Sequence, residues 1–140
     1  MGLIGKLTAV RVAREKRPGF YSDGGGLFLQ VGKSASKSWI FRYWVPERDP
    51  LSGVVVVDAT TGKRRGRVRE MGLGSLITVS LQDARERALE CRKLREKEID
   101  PIAAREASRR EAALQSAKSL TFKDAAAAYM AAHRVAWKND

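Results

Sequence analysis

The side chains with the most chemistry to offer in this chain are cationic. Lys33, Lys37, Arg42, Lys63, Arg64, Arg65, Arg67 and Arg69 all fall between positions 33 and 69. Ammonium and guanidinium groups neutralise phosphate oxygens. A guanidinium can also hold the O6/N7 edge of guanine through two hydrogen bonds, as a Gln amide holds the N6/N7 edge of adenine. Arg42 and Gln30 are the candidates for base edges, Lys33, Lys37, Lys63, Arg64 and Arg65 for phosphates, and Trp44 and Arg67 complete the candidate set. Any one of these cations is equally well explained by solvation at a protein surface. As a group they read as a patch for a polyanion.

Other chemistries find no support. Gly24-Gly25-Gly26 lacks the Gly-Lys-Ser/Thr ending of a phosphate loop, and Gly72-Leu73-Gly74 lacks the third glycine of a dinucleotide fingerprint, so both read as turns. His133 is the only histidine, on an apolar helical stripe with no Cys, Asp or Glu at ligand spacing, and reads as a packing or surface residue. Cys91 is the only cysteine and reads as a small core residue. With one histidine so placed, no Ser/His/Asp or Cys/His arrangement can be assembled. The expectation is a chain without catalytic residues, metal or cofactor.

Charge supports the polyanion reading. The chain of 140 residues carries 27 Lys+Arg against 16 Asp+Glu, a formal +11. Residues 1–74 hold 14 Lys/Arg and 6 Asp/Glu (+8), residues 75–140 hold 13 and 10 (+3), so the excess sits in the first half. A lipid surface would want a basic amphipathic helix or an anchor; Met1-Gly2-Leu3-Ile4-Gly5-Lys6 has Lys where a myristoylation signal wants Ser or Thr. No apolar run is long enough for a signal peptide or a membrane span, and one cysteine fits a reducing compartment, so a cytoplasmic, non-membrane protein is expected.

These residues need elements to position them. Thr8 reads as the cap of a short basic helix ending before Pro18-Gly19, and Tyr21 to Gly26 as a glycine-rich turn leading into a strand. Leu27-Phe28-Leu29-Gln30-Val31 and Trp39-Ile40-Phe41-Arg42-Tyr43-Trp44-Val45 alternate as strands. Val54 to Val57, a turn at Thr60 to Lys63, and Arg67 to Met71 read as a hairpin. Ser80-Leu81-Gln82-Asp83 has capping-box form and opens a helix whose stripe is Leu81, Ala84, Ala88, Cys91 and Leu94, with Asp83–Arg87 and Arg92–Glu96 pairs on the other face. Ile99-Asp100-Pro101 stops it. Residues 102–118 read as a solvated helical linker, and Thr121-Phe122-Lys123-Asp124 as a second capped start, opening a helix striped by Phe122, Tyr129, Met130, His133 and Trp137 that has no later partner.

The fold class expected is α+β: a three-stranded antiparallel sheet, with an extra hairpin as an option, packed on one helix and followed by a helical linker and the first helix of a truncated helical domain. Leu27, Leu29, Val31, Trp39, Phe41, Tyr43, Met71 and Leu73 would face the helix, leaving Phe28, Gln30, Ile40, Arg42 and Trp44 on the open side. A ribbon of that width can enter the major groove of DNA. Burial of Trp44 under the Val54 to Val57 segment is the alternative for that residue.

The ordered blocks FYSDGGGLFLQV, SKSWIFRYWV, REMGLGS, VSLQDARERALECRKLREKEIDPIAAR and TFKDAAAAYMAAHRVAWKND, preceded by Leu7-Thr8 and a basic helix, resemble the amino-terminal portion of prophage-type tyrosine recombinases (integrases). The resemblance implies an arm-type DNA-binding domain over 1–100, a helical linker over 101–119, and the start of a core-binding helical domain over 120–140. It implies double-stranded DNA at recombination arm sites as partner, with further integrase protomers in the full-length complex. The catalytic residues of that family belong to a third domain, so none is carried over. The stretch Pro46 to Arg67 departs from the family, which runs almost directly from the first of these strands to the next. A free-standing DNA-binding regulator with a similar sheet is the alternative.

Overall fold

A computed structural model describes residues 4–138, with side chains described through residue 132; the Met1-Gly2 opening and the His133 and Trp137 side chains therefore lie outside the described residues. The chain divides into two compact units, Met1–Pro101 and Ile102–Asp140.

In the first unit, Thr8 caps α1 (Ala9–Arg14) by accepting the Arg11 N–H at 3.2 Å. Strands β1 (Gly19–Gly24), β2 (Leu27–Val31), β3 (Lys37–Pro46) and β4 (Gly66–Ser75) follow, then α2 (Leu81–Glu96). The strands form one antiparallel sheet in the order β1-β2-β3-β4. The sheet thus has four strands, not three. Ser22-Asp23-Gly24 looks like turn chemistry, but Gly19 to Ser22 pair with β2 in regular register, and the turn itself is only Gly25-Gly26. Gly26 is obligatory there: its φ is +88°, and a Cβ would stand 2.7 Å from the Arg42 carbonyl oxygen and 2.9 Å from the Phe41 ring.

The alternation of β2 and β3 puts Leu27, Leu29, Val31, Trp39, Phe41 and Tyr43 on one face, joined by Met71 and Leu73 of β4, and all are buried. Against them lies α2, whose buried residues Ala84, Ala88 and Cys91 are small enough to bring the helix close to the sheet. Trp39 is wholly buried, and its indole N–H donates to the Val79 carbonyl at 2.8 Å, so the largest core side chain also satisfies its polar atom. The Ser80 capping box is complete, with the Asp83 N–H donating to Ser80 Oγ and the Ser80 N–H to Asp83 Oδ2. The i,i+4 pairs expected along α2 are not what forms. Arg87 donates to the Leu73 carbonyl at 2.7 Å and Arg92 to that of Gly25 at 3.0 Å, because both reach the sheet and satisfy acceptors there.

A charged contact fixes the amino-terminal segment. Asp23 is 0% exposed and accepts the Leu7 N–H at 2.9 Å, Arg85 Nε at 2.9 Å and Arg85 Nη2 at 3.0 Å. Arg85 Nη2 also donates to the Leu7 carbonyl at 2.8 Å. One buried carboxylate therefore joins the segment before α1, strand β1 and helix α2.

The insertion between β3 and β4 is not the expected hairpin of Val54 to Val57 with Arg67 to Met71. Residues 66–75 pair with β3, and the insertion forks into two lobes. Glu47 N–H donates to Arg65 O, Arg65 N–H to Val56 O, and Val56 N–H to Glu47 O, a closed ring of three backbone hydrogen bonds at the fork. Beyond it, Asp49 to Gly53 and Asp58 to Gly62 make the same turn twice. In each, the glycine N–H donates to the carbonyl of the Asp at 2.8 Å, and the Asp carboxylate accepts the N–H groups two and three residues on. The repeat is nine residues long and rests on only Asp and Gly in common, which hides it in the sequence.

The second unit begins one residue into α3, a continuous helix from Pro101 to Lys138. The expected new start at Thr121 does not occur: the Thr121 hydroxyl donates to the Ala117 carbonyl at 3.0 Å, the back-bond of a Thr inside a helix. Phe122, Tyr129 and Met130 are exposed on it.

Candidate nucleic-acid interface

On the face of the sheet turned away from α2, alternation and register bring together Phe20 and Ser22 of β1, Phe28 and Gln30 of β2, Ile40, Arg42 and Trp44 of β3, and Val68 and Glu70 of β4. Arg42 is central. Its guanidinium stands 5.0 Å from the Phe20 ring centre and 4.7 Å from that of Phe28, and its Nε and Nη2 donate to Glu70 Oε1 at 3.0 and 2.7 Å. The two rings and the carboxylate fix one edge of the guanidinium plane. The other edge, carrying Nη1, remains for an outside acceptor. Gln30 lies on the same face, paired with Phe20 on one side and Ser38 on the other.

Trp44 is 42% exposed, so the Val54 to Val57 segment does not cover it. Its ring lies on the backbone of Gly66, where a Cβ would meet the indole at 2.3 Å; a bare backbone is what lets the indole lie flat at the end of the sheet. Phe20 and Glu70 belong to the site and were not among the expected residues. Phe20 becomes legible only once Gly19–Gly24 is read as a strand, and Glu70 only through its register with Arg42.

The expected phosphate contacts separate into groups. Lys33 is exposed in the β2–β3 turn, and Lys63 and Arg64 are exposed on the second lobe of the insertion. Arg65 pairs with Glu47 at 3.5 Å. Lys37 is engaged inside the fold: its ammonium donates to the Val12 and Ala13 carbonyls at 2.7 and 2.8 Å, closing the carboxyl end of α1. Arg67 is exposed, but it pairs with Val45 and so shares the α2 side of β4 with Arg69, which binds Asp100 at 2.6 Å. The structure therefore brings Gln30, Arg42 and Trp44 to one face and places Lys37 and Arg67 off it.

The lobes are held by charge as well as by backbone. Backbone N–H groups of Ser52 and Leu51 hold the Asp49 carboxyl below the ordinary aspartate range, and those of Thr61 and Thr60 do the same for Asp58. Because both folded-state values are depressed, the stabilisation is complete above the ordinary aspartate pKa and is lost as pH falls through the lowered values. The amide resonances of Leu51, Ser52, Thr60 and Thr61 are expected to titrate together in acid, below the midpoint of an aspartate in a free peptide, and to hold steady from about pH 5 to 8. A midpoint at or above the free-peptide value would count against carboxylate-built turns.

Among the described residues no group of His, Cys, Asp or Glu is arranged to hold a metal ion, and no helix is long and apolar enough to cross a membrane. Compared with known proteins, residues 7–108 match the family model described as an arm DNA-binding domain. No curated protein matches the chain.

Proposed function

This chain belongs to the arm DNA-binding domain family, and from that premise we propose that it binds duplex DNA through the open face of its sheet, as the amino-terminal part of a tyrosine site-specific recombinase. The observation that carries the reading is Arg42, fixed between Phe20 and Phe28 by Glu70 with one edge of its guanidinium turned outward. An arginine so held has lost its rotamer freedom before it meets a base, so less of the binding energy goes into ordering it. Arg42 and Gln30 read base edges, while cations at the rim, Lys33 at one end and Lys63 at the other, meet phosphates. The formal charge of +11 supplies the long-range attraction.

In this reading the chain performs no chemistry itself. Strand exchange belongs to a separate catalytic domain of a larger cytoplasmic protein, α3 leads toward a core-binding helical domain, and further protomers assemble on the recombination arms. Selection of bound duplexes from a random pool tests the proposal. A short consensus is expected, bound at least ~1000-fold more tightly than random duplex. Enrichment of no sequence, with affinity that depends on salt alone, would reduce the chain to a non-specific binder.

A further inference from the structure

We propose that the forked insertion builds a second site, for a backbone phosphate of the same duplex, in the cleft between its basic lobe and the carboxyl end of α2. The proposal rests on the DNA-binding reading and adds a contact that the sheet alone does not make. The cleft has a volume of about 320 Å³ and is lined by Trp44, Arg48, Arg64, Arg95, Glu98 and Asp100 among others. Three arginines thus line one opening.

The acids beside them do not cancel that charge. Asp100 is taken by the Tyr43 hydroxyl and by Arg69. Glu98 reaches only Arg48, at 3.7 Å, and its side chain is 80% exposed, so the pair is weak and yields readily. Arg95 donates to the carbonyls of Ile99 and Trp44, both at 3.2 Å; these orient its guanidinium without neutralising it. Arg64 has no acidic partner among the described residues and sits on the lobe braced by the ring of hydrogen bonds through Glu47, Val56 and Arg65. The end of α2 contributes roughly half a negative charge, which three guanidinium groups outweigh.

Arg95, Glu98 and Asp100 line the cleft from the α2 side, but at the end of the sheet it reaches Trp44 of the open face, so a duplex on that face extends toward it, which favours a DNA phosphate over a carboxylate of another protein. Trp44 belongs to both, and the lobe carries exposed Lys63 next to Arg64. Pro46, beside the cleft, lies four residues along β3 from Arg42. That is about 13 Å at the rise of a strand. Phosphates of one strand of B-DNA are spaced about 3.4 Å along the helix axis, so with β3 lying along that axis the second contact falls roughly four nucleotides beyond the base that Arg42 meets.

The test uses the whole chain and duplexes taken from the random-pool selection, trimmed to the stretch the sheet covers or extended by about four base pairs on one side. Affinity is measured by fluorescence anisotropy across a salt series. Extension is expected to raise affinity about fivefold and to steepen the dependence of log affinity on log salt by roughly 0.9. Arg64→Ala and Arg64→Gln should remove both gains, and thermal melting should show both variants folded, since Arg64 is exposed. No gain on extension, or a gain indifferent to both variants, overturns the cleft. Binding that needs Arg64 but survives Arg42→Ala keeps the cleft and overturns the sheet reading. Self-association without DNA, abolished by Arg64→Ala in sedimentation, would overturn the proposal in favour of a protein carboxylate as occupant.

Discussion

Asp23→Asn is expected to destabilise the first unit by about 3 kcal/mol, a large part of the ~5–15 kcal/mol that holds a domain of this size together. The substitution barely changes shape, so the effect isolates charge and hydrogen bonding. Asp23 is fully buried and accepts from three donors, the Leu7 N–H and two nitrogens of Arg85. An amide cannot answer all three, because one of its two heavy atoms is itself a donor, and it leaves the guanidinium without its counter-charge. The Asp23 carboxylate raises the pKa of Arg85 through its hydrogen bonds and charge, against partial desolvation. A raised cation contributes fully below its unfolded value and is lost only above, so this stabilisation persists through acid-to-neutral conditions as far as Arg85 is concerned. Urea unfolding followed by circular dichroism gives the cost, with Arg85→Met as the reciprocal variant. The double variant Asp23→Leu with Arg85→Met should recover only part of the loss: removing both members of a buried pair is often close to neutral, but the Leu7 N–H and carbonyl lose the partners that Asp23 and Arg85 gave them. A change below about 0.5 kcal/mol for Asp23→Asn would show that the contact holds nothing that other contacts do not.

That contact also marks where local reading of the chain ends. The core strands were legible because Leu27, Leu29 and Val31, and then Trp39, Phe41 and Tyr43, obey the period of a half-buried sheet, and the start of α2 because Ser80 and Asp83 answer each other within one turn. Asp23 sits in a run of glycines and so reads as turn former, while Arg85, 62 residues away, reads as one charge among many on a helix. The same blindness to distance turned Arg87 and Arg92 into members of surface pairs, when both reach carbonyls of the sheet side. Thr121-Phe122-Lys123-Asp124 failed for the opposite reason. Its pattern is compatible both with a cap and with the interior of a helix, and only the backbone before it, already helical through Ala117, decides which. Of the candidate interface, Gln30, Arg42 and Trp44 followed from strand alternation. What was hidden was the setting of Arg42, which depends on a fourth strand and on the register that puts Glu70 across from it.

Arg42→Ala is expected to weaken binding to the selected duplex by about 1–3 kcal/mol and to leave binding to random duplex nearly unchanged, because it removes a two-pronged base contact and little of the field around the molecule. Its cost to folding should be small, since the pair with Glu70 is between side chains 34% and 45% exposed. Glu70→Gln sharpens the test. It removes a negative charge from the face that meets phosphates, so affinity for random duplex should rise. It also weakens the hold on Arg42, whose two hydrogen bonds to Oε1 lose their charge assistance, so discrimination between selected and random sequence should fall. Phe28→Leu acts on the same guanidinium through its ring without altering charge, and should lower discrimination while leaving the salt dependence as it was. The measurement is anisotropy on selected and random duplexes at two salt concentrations for each variant. Loss of affinity by the same factor on both duplexes in Arg42→Ala would make Arg42 a phosphate contact. Sequence preference would then rest on another group of the open face, Gln30 before any other, because its amide has the geometry to hold adenine.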